Sequence, residues 1–278
     1  MALGTVGLLH PGEMGAAVGA VLRGQGIPVV WASAGRSEET RARAEAAGLE
    51  DVGSVGAVAQ SDVVFSICPP HAAFDVARSA DFGGIYVDAN AVSPATAVKV
   101  ASAVGEFVDG GIVGSPPREP GTTRLYLSGE RAETVAELFD GSPLDARVVS
   151  NASAVKMAYA AWTKGTAAML LAIRELARRE GVEETLVAEW DLSLPELRDR
   201  YERAERSAAA KGWRWVGEME EIAASFEAAG LPGGFHSAAA DVYGRLAAFK
   251  DAAAPPKLDE VTEAIRSGAK PARRRARA

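Results

Sequence analysis

The sequence has few features of a secreted, membrane-bound or nucleic-acid-binding protein. Its one cysteine, Cys68, excludes an intrachain disulfide and fits a reducing compartment, so we expect a cytoplasmic protein. The net charge of -7 argues against a nucleic-acid partner. The N-terminus lacks the basic start of a signal peptide. The longest apolar stretch, residues 152–172, contains Lys156 and Lys164, which argues against a membrane span.

Short apolar runs alternate with helical segments over about the first 150 residues, as in α/β domains with a parallel sheet. We predict strands near residues 5–9, 28–31, 62–67, 85–89, 107–112, 124–128 and 146–149. This alternation predicts a mostly parallel, doubly wound sheet, which binds ligands beyond the carboxyl ends of its strands. After residue 180 the pattern is helical, with no convincing strand. We predict that the core of this second half includes Trp213, Trp215, Phe226 and Phe235.

A glycine-rich turn follows the first apolar run. It reads His10-Pro-Gly-Glu-Met-Gly15 and leads into a helical segment, the context of a dinucleotide-binding fingerprint. Gly12 would let the backbone approach a pyrophosphate, and Gly15 would let helix and strand pack closely. The first glycine of the fingerprint is missing, because His10 occupies its position, so a turn without a ligand stays an alternative. We predict cofactor contacts from His10, Pro11, Gly12, Glu13 and Met14.

The second strand is not followed by an acid. An NAD-selective site places Asp or Glu there to bind the ribose 2′-hydroxyl, but here the first acid is Glu38. Ser33, Arg36 and Ser37 are suited to a 2′-phosphate, with Arg36 supplying the forked charge. We therefore predict NADP rather than NAD. An ordinary polar loop with one solvated arginine is the alternative.

Two further strand ends carry predicted cofactor contacts. The third long strand ends in Cys68, Pro69 and Pro70, and the fourth is followed by Asn90. We interpret Cys68 as a small wall residue rather than a nucleophile, because no obvious base lies near it in sequence. No metal site is predicted.

A long proline-free segment from Asn151 to Glu180 predicts a buried helix, apolar almost all round. Lys156 lies near its start, and an unpaired buried ammonium is costly. Lys156 either reaches the surface or pairs with an acid, or it serves in proton transfer with a lowered pKa. We favour proton transfer. Lys164 is about 12 Å further along the helix and is expected to pair or to lie at the surface.

Four stretches, in this order, resemble the β-hydroxyacid dehydrogenase family, which is related to 6-phosphogluconate dehydrogenase. They are Gly7–Gly15, Asp88–Pro94, Asp109–Ser115 and Asn151–Lys156. The resemblance implies a Rossmann-type domain, a helical domain, and a homodimer with intertwined helical domains. The chain looks most like the bacterial branch with a divergent C-terminal helical domain.

The same resemblance implies roles for individual residues. It places Asn90 at the nicotinamide, Val113, Gly114 and Ser115 at the substrate acid, and Lys156 at the chemical step. The family's asparagine one turn after the lysine is Ala160 here. Tyr159 and Thr163 lie on nearly the same helix face and can replace it. His236, near the start of a later helix, is a candidate substrate contact, with a capping or core role as the alternative.

These observations predict three segments: an NAD(P)-binding domain over 1–150, a helical substrate and dimerisation domain over 151–255, and a basic, disordered tail over 256–278. They predict an NADP-dependent oxidoreductase that acts on a small 3-hydroxy acid or a related alcohol or carbonyl. An imine reductase on the same scaffold is one alternative, although related enzymes of that type generally replace the lysine. A non-catalytic nucleotide-binding or redox-sensing protein is the other, favoured by His10 and Ala160.

Overall fold

A computed structural model describes residues 4–250 and 256–268. The chain divides into two compact units, Met1–Tyr159 and Ala160–Ala278. The division falls inside a long helix rather than ahead of residue 151, because the first two turns of that helix are bound to the sheet.

The first unit is built around an eight-stranded sheet in the order β3-β2-β1-β4-β5-β6-β7-β8. Its strands are β1 (Val6–Leu8), β2 (Val29–Trp31), β3 (Glu50–Asp51), β4 (Val63–Ser66), β5 (Ile85–Asp88), β6 (Glu106–Gly114), β7 (Thr123–Ser128) and β8 (Leu144–Val148). All neighbours are parallel except β6 and β7. The strand order reverses between β1 and β4, the switch point at which ligands bind in such sheets. The predicted Rossmann-type sheet is therefore confirmed, with β3 as an additional short strand.

Helices cover both faces of this sheet. They are α1 (Glu13–Gly24), α2 (Glu38–Ala46), α3 (Val55–Val58), α4 (Ala73–Ala77), α5 (Pro94–Ala101) and α6 (Ala132–Ala136). Two apolar clusters lie on opposite faces because successive strand side chains alternate. In β4, for example, Val63 and Phe65 belong to one cluster, whereas Val64 belongs to the other.

The second unit is helical over its described residues, with no strand in 160–250 or 256–268. Its helices are α7 (Ala152–Arg179, which begins in the first unit), α8 (Glu183–Ser193), α9 (Glu196–Lys211), α10 (Trp215–Ala228), α11 (Gly234–Gly244) and α12 (Leu258–Ser267). The predicted all-helical second half is confirmed.

Helix α7 leaves part of its apolar surface exposed in the single chain, with Trp162 62% exposed and Met169 48% exposed. Two expectations about this half were wrong in detail. Phe235 is 68% exposed rather than part of the core, although Trp215 is buried. Residues 258–267 form helix α12 rather than a disordered tail, with Val261 and Ile265 buried. The basic segment after residue 268 lies outside the described residues.

Candidate functional site

The glycine-rich turn connects the end of β1 to α1. A Cβ on Gly15 would lie 2.3 Å from the carbonyl oxygen of His10, so close helix–strand packing requires glycine there. A Cβ on Gly12 would meet no described atom within 4 Å, which leaves room for a ligand beside the backbone. Gly12 is also the N-cap of α1, and none of the described side chains caps this helix start. Uncapped N–H groups at a helix N-terminus favour an anion such as a phosphate.

Two predicted cofactor contacts, His10 and Arg36, interact at this turn. Arg36 Nη2 donates a hydrogen bond to the Leu9 carbonyl at 3.3 Å. Burial and the neighbouring guanidinium lower the pKa of His10 to about 4, so its ring is neutral near neutral pH. His10 Nδ1 and Arg36 Nε are both buried and have no hydrogen-bond partner among the described residues. Two such polar atoms at one turn are consistent with a ligand that supplies their hydrogen-bond partners.

The end of β2 has two charged neighbours that the sequence did not reveal. Arg41 Nη2 donates to the Ser33 carbonyl at 2.9 Å, and the Ser33 N–H donates to Asp51 Oδ1 at 3.1 Å. Hydrogen bonds from Ser33 and Gly53 lower the pKa of Asp51. No acid follows β2 in the sequence, but Asp51 of the adjacent strand β3 lies at this strand end. The guanidinium of Arg41 partly offsets the charge of Asp51. The hydroxyl of Ser37 accepts the Thr40 N–H and caps α2.

The side chain of Asn90 forms hydrogen bonds with the end of β4 and with the loop that follows it. Its Oδ1 accepts the Cys68 N–H at 2.5 Å, and its Nδ2 donates to Ser66 Oγ at 3.2 Å. The amide is 2% exposed, so it holds the Cys68–Pro70 loop in place. Burial raises the pKa of the Cys68 thiol to about 11. A thiol that stays protonated is a poor nucleophile, in agreement with its interpretation as a wall residue.

Lys156 extends from the second turn of α7 to the carboxyl-terminal part of β6. Its Nζ donates to the Ile112 carbonyl at 2.7 Å, and the side chain is half-buried. A Cβ on Gly111 would lie 2.9 Å from Lys156 Cβ and 3.0 Å from the Ala152 carbonyl oxygen. Glycine at 111 therefore lets the helix approach the strand closely enough for this bond.

The start of α7 is bound to the sheet by side chains. Asp109 Oδ2 accepts the Ser153 N–H at 2.8 Å, and its Oδ1 accepts the Ser153 hydroxyl at 2.5 Å. Ser128 Oγ accepts the Ala152 N–H at 2.9 Å and donates to Asp109 Oδ2 at 3.1 Å. Asn151 Oδ1 accepts the Ala154 N–H at 2.7 Å. The sequence suggested no role for Asp109 or Ser128, although Asp109 is the first residue of the Asp109–Ser115 stretch.

The predicted substrate loop continues from Ile112. Val113 is buried, so only its backbone can face a ligand, whereas Gly114 and Ser115 are exposed. Gly114 has φ +121°, and a Cβ there would lie 2.2 Å from the Thr122 carbonyl oxygen. The Ser115 carbonyl accepts the Thr123 hydroxyl. The loop is therefore held in one shape by its own strand pair, β6 and β7.

Tyr159 and Thr163 follow Lys156 on α7 and are exposed. Their helical spacing places them near the face of Lys156, as expected. The structure therefore leaves their predicted substrate contacts as predictions.

His236 belongs to the helical unit. It is 8% exposed, its ring lies 4.4 Å from the Phe226 ring, and a Cβ on Gly165 would lie 3.3 Å from it. Burial lowers its pKa. Its Nδ1 has no hydrogen-bond partner among the described residues. The predicted substrate contact of His236 stays a prediction.

Lys164, the second lysine of the apolar stretch, forms an ion pair with Glu218 of α10. Its ammonium also lies 5.5 Å from the centre of the Trp215 ring. The expectation that Lys164 pairs with an acid or lies at the surface is thus resolved in favour of pairing.

Two kinds of feature are absent from residues 4–250 and 256–268. No three His, Cys, Asp or Glu residues there lie close enough together to hold a metal ion. No helix in the same ranges is long and apolar enough to cross a membrane.

Comparisons with known proteins agree on the relationship of this chain. Residues 177–246 match a family model described as a domain of unknown function, DUF1932. An uncharacterized 28.5 kDa protein of Methanothermus fervidus, from a 7S RNA 5′ region, is 35% identical over 164 residues. That match covers 55% of this chain and 63% of the relative's length.

Solved structures match over nearly the whole chain. A conserved hypothetical protein from Sinorhizobium meliloti 1021 is 26% identical, with a TM-score of 0.67 over 96% of this chain and 97% of that one. A conserved protein described as structurally similar to 3-hydroxyacid dehydrogenases is 27% identical, with a TM-score of 0.60 over 95% and 97%. A 3-hydroxyisobutyrate dehydrogenase of Mycobacterium tuberculosis, at 21% identity and a TM-score of 0.66 over 95% and 99%, shares the fold. In fold, motifs and relatives, the chain is similar to proteins of the β-hydroxyacid dehydrogenase type.

Proposed function

We propose that the protein is an NADP-dependent oxidoreductase that transfers hydride between the nicotinamide and a small 3-hydroxy acid or a related alcohol or carbonyl. The observation that carries this proposal is the position of Lys156. Its ammonium is bound to the Ile112 carbonyl, at the beginning of the exposed Gly114–Ser115 loop on a strand next to Asn90. Ligands of such sheets bind at the carboxyl ends of the strands, so a dehydrogenase of this fold requires its proton-transfer group there.

The residues at the strand ends fit a dinucleotide phosphate. The pyrophosphate would lie over Gly12 and the uncapped start of α1. The 2′-phosphate would lie near Ser33 and Ser37, with Arg36 as its main cationic partner. Arg36 Nε is the buried group without a partner that a phosphate oxygen would satisfy. When bound, the cofactor supplies the hydride chemistry.

The chain's own residues would supply the rest of the reaction. Lys156 exchanges the proton of the substrate hydroxyl, while the backbone of Val113 to Ser115 holds the substrate acid. Tyr159 or Thr163 would orient the substrate in place of the asparagine that Ala160 replaces. His236 stays a proposed substrate contact.

An imine reductase on the same scaffold is the second candidate activity. The presence of Lys156 at the position expected for a dehydrogenase favours the alcohol and carbonyl substrates. A non-catalytic nucleotide-binding protein would need neither the lysine contact to Ile112 nor the shaped Gly114 loop.

Turnover of NADP(H) with a panel of 3-hydroxy acids, keto acids, aldehydes and imines tests the proposal. We expect turnover with hydroxy or keto acids and a preference for NADPH over NADH. Turnover with imines alone would support the second candidate. NADPH binding without turnover of any panel member would instead support a nucleotide-binding protein.

We further propose that the protein is a homodimer that pairs through α7. Trp162, Thr166, Met169, Ile173 and Leu176 follow each other at spacings of three and four residues, the pattern of a coiled-coil seam. All five are at least partly exposed. In an antiparallel pair with a second copy, Trp162 would face Ile173, and Thr166 would face Met169. This seam is self-complementary, as a two-fold interface requires.

Light scattering tests the dimer proposal directly. We expect a dimer at micromolar concentration for the wild-type protein and a monomer for Trp162→Glu, because a carboxylate would be buried in the seam. Val98→Glu, at an equally exposed apolar position of the sheet unit, is the control and should remain dimeric. A wild-type monomer would end the proposal.

We also propose that the protein works in the cytoplasm, because its single thiol is unreactive and fits a reducing compartment.

A further inference from the structure

Asp109 is a buried carboxylate that is not among the predicted cofactor or substrate contacts. It is 9% exposed and lies on β6, where it accepts hydrogen bonds from three donors, namely the Ser153 N–H, the Ser153 hydroxyl and the Ser128 hydroxyl. A buried carboxylate with no cationic partner is costly unless such donors surround it. The start of α7 supplies two of these three contacts, together with the positive end of the helix dipole.

The contacts account for the first N–H groups of α7 one by one. Ala152 N–H is bound by Ser128, Ser153 N–H by Asp109, and Ala154 N–H by Asn151. The Val155 N–H then makes the first bond within the helix, to the Asn151 carbonyl at 3.2 Å. The carboxylate thus bonds one specific turn of the helix and fixes both its rotation and its position along the axis.

Lys156 lies one helical turn beyond Ser153, and Ile112 lies three strand residues beyond Asp109. Strand and helix are therefore joined at two points: Asp109 to Ser153, and Ile112 to Lys156. Between these points Gly111 leaves no space for a side chain. Loss of the first attachment would allow the helix to turn or slide, and the ammonium would move with it.

We infer that Asp109 is a positioning residue, which holds the Lys156 ammonium in place through the first turn of α7. The inference rests on the proposed function for the catalytic consequence, because Lys156 must act in the reaction for its position to matter. The position itself can be measured without any activity.

The test compares Asp109→Ala and Asp109→Asn with the wild-type protein. We expect kcat per folded molecule to fall by about 10- to 100-fold in Asp109→Ala, since a displacement of about 1 Å can cost this much. The kcat of Asp109→Asn should lie between those of Asp109→Ala and the wild-type protein, because an amide can accept hydrogen bonds at its oxygen only. The dissociation constant for NADPH should be unchanged. Val135→Ala, in the core and away from the site, should lower Tm and leave kcat per folded molecule unchanged.

The second readout is the acylation rate of Lys156 by an amine-reactive ester, followed by peptide mass spectrometry. We expect this rate to change in Asp109→Ala relative to that of the exposed Lys99, and to stay constant in Val135→Ala. If Asp109→Ala does not fold, Ser153→Ala removes the Oδ1 contact alone and should show a smaller change of the same kind.

A folded Asp109→Ala protein with wild-type kcat and wild-type Lys156 acylation would overturn the inference. If the wild-type protein turns over no substrate but the acylation rate changes, the positioning role stands and the proposed function fails. The two claims are therefore separable.

Discussion

The sheet unit and the helical unit use their polar side chains in different ways. At the strand ends of the sheet unit, these side chains bond mainly to backbone groups. Asp109 and Asn90 accept backbone N–H groups, and Arg36 donates to a backbone carbonyl. Such bonds fix the shape of loops, which is what a site for a small ligand requires.

In the helical unit, charged side chains pair chiefly with one another. Lys164 pairs with Glu218, and Glu183 of α8 accepts from both Arg174 and Arg178 of α7. These pairs join helices rather than shape loops. Polar side chains thus shape loops in the sheet unit, whereas in the helical unit they join one helix to another.

Substitution of Lys156 should have the largest effect. Lys156→Ala should lower turnover by about 10²- to 10⁴-fold, the usual range for a proton-transfer group. Lys156→Arg should not restore turnover, because a guanidinium does not release a proton near neutral pH. NADPH binding should change little, since we propose that the phosphates bind at the Gly12 turn. Turnover and Tm measured on the same preparations separate a catalytic role from a structural one. If Lys156 is only structural, its substitution should lower Tm but preserve activity per folded molecule.

Removal of one charge from the Lys164–Glu218 pair should mainly affect stability. Both side chains are less than one-fifth exposed, at 18% and 15%. Glu218→Gln leaves the ammonium without its counter-charge and should lower the free energy of unfolding by about 3 kcal/mol. The control is Asp191→Asn in the Asp191–Arg198 pair, whose side chains are about half exposed, and which should cost less than about 1 kcal/mol. Urea unfolding measures both. Equal effects would show that burial of the pair contributes nothing.

Arg36→Ala should reduce the preference for NADPH over NADH by roughly 10- to 100-fold, the value of one charge-assisted hydrogen bond. Arg41→Ala should reduce it less, because that guanidinium is already bound to the Ser33 carbonyl. Arg131→Ala, which breaks an exposed pair with Glu106, is the control. Fluorescence titration with both cofactors measures the ratio. Equal affinities for NADPH and NADH in the wild-type protein would contradict the assignment of NADP.

The smallest effect should come from the pH dependence at His10. Because its pKa in the folded state, about 4, is below the ordinary value of 6.5 for a histidine, the folded state resists protonation of the ring, and the fold is most stable with respect to this group above about pH 6.5. That contribution is lost as the pH falls from about 6.5 towards 4. Between about pH 7 and pH 5, the wild-type protein should therefore lose about 2 kcal/mol more stability than His10→Gln. Urea unfolding at both pH values tests this, and identical losses would count against a neutral buried ring.

The sequence was sufficient for elements that depend on local patterns. The Gly12 turn, the alternation of strands and helices in the sheet unit, and the helix that carries Lys156 all follow from short-range spacing of apolar residues and glycines. The contact of Arg36 with the Gly12 turn could also be expected, since both follow neighbouring parallel strands.

Contacts that depend on neighbouring strands could not be predicted in the same way. Asp51 reaches Ser33 from β3, a strand of two residues with no hydrophobic signal. The bonds from Asp109 to α7 join residues 44 positions apart. Phe235 was misplaced because one aromatic near the start of a helix does not reveal which face is covered. Helix α12 was missed because its few apolar residues are surrounded by charge.

The most direct test of the central claim is the single-turnover rate at which Lys156→Ala oxidises NADPH with a carbonyl substrate of the wild-type protein, with and without an added small primary amine. We expect a slow reaction without amine and a faster one with it, because the protonated amine replaces the missing proton-transfer group. We also expect the recovered rate to depend on the pKa of the amine. A folded Lys156→Ala protein that oxidises NADPH at the wild-type rate without any amine would contradict the claim.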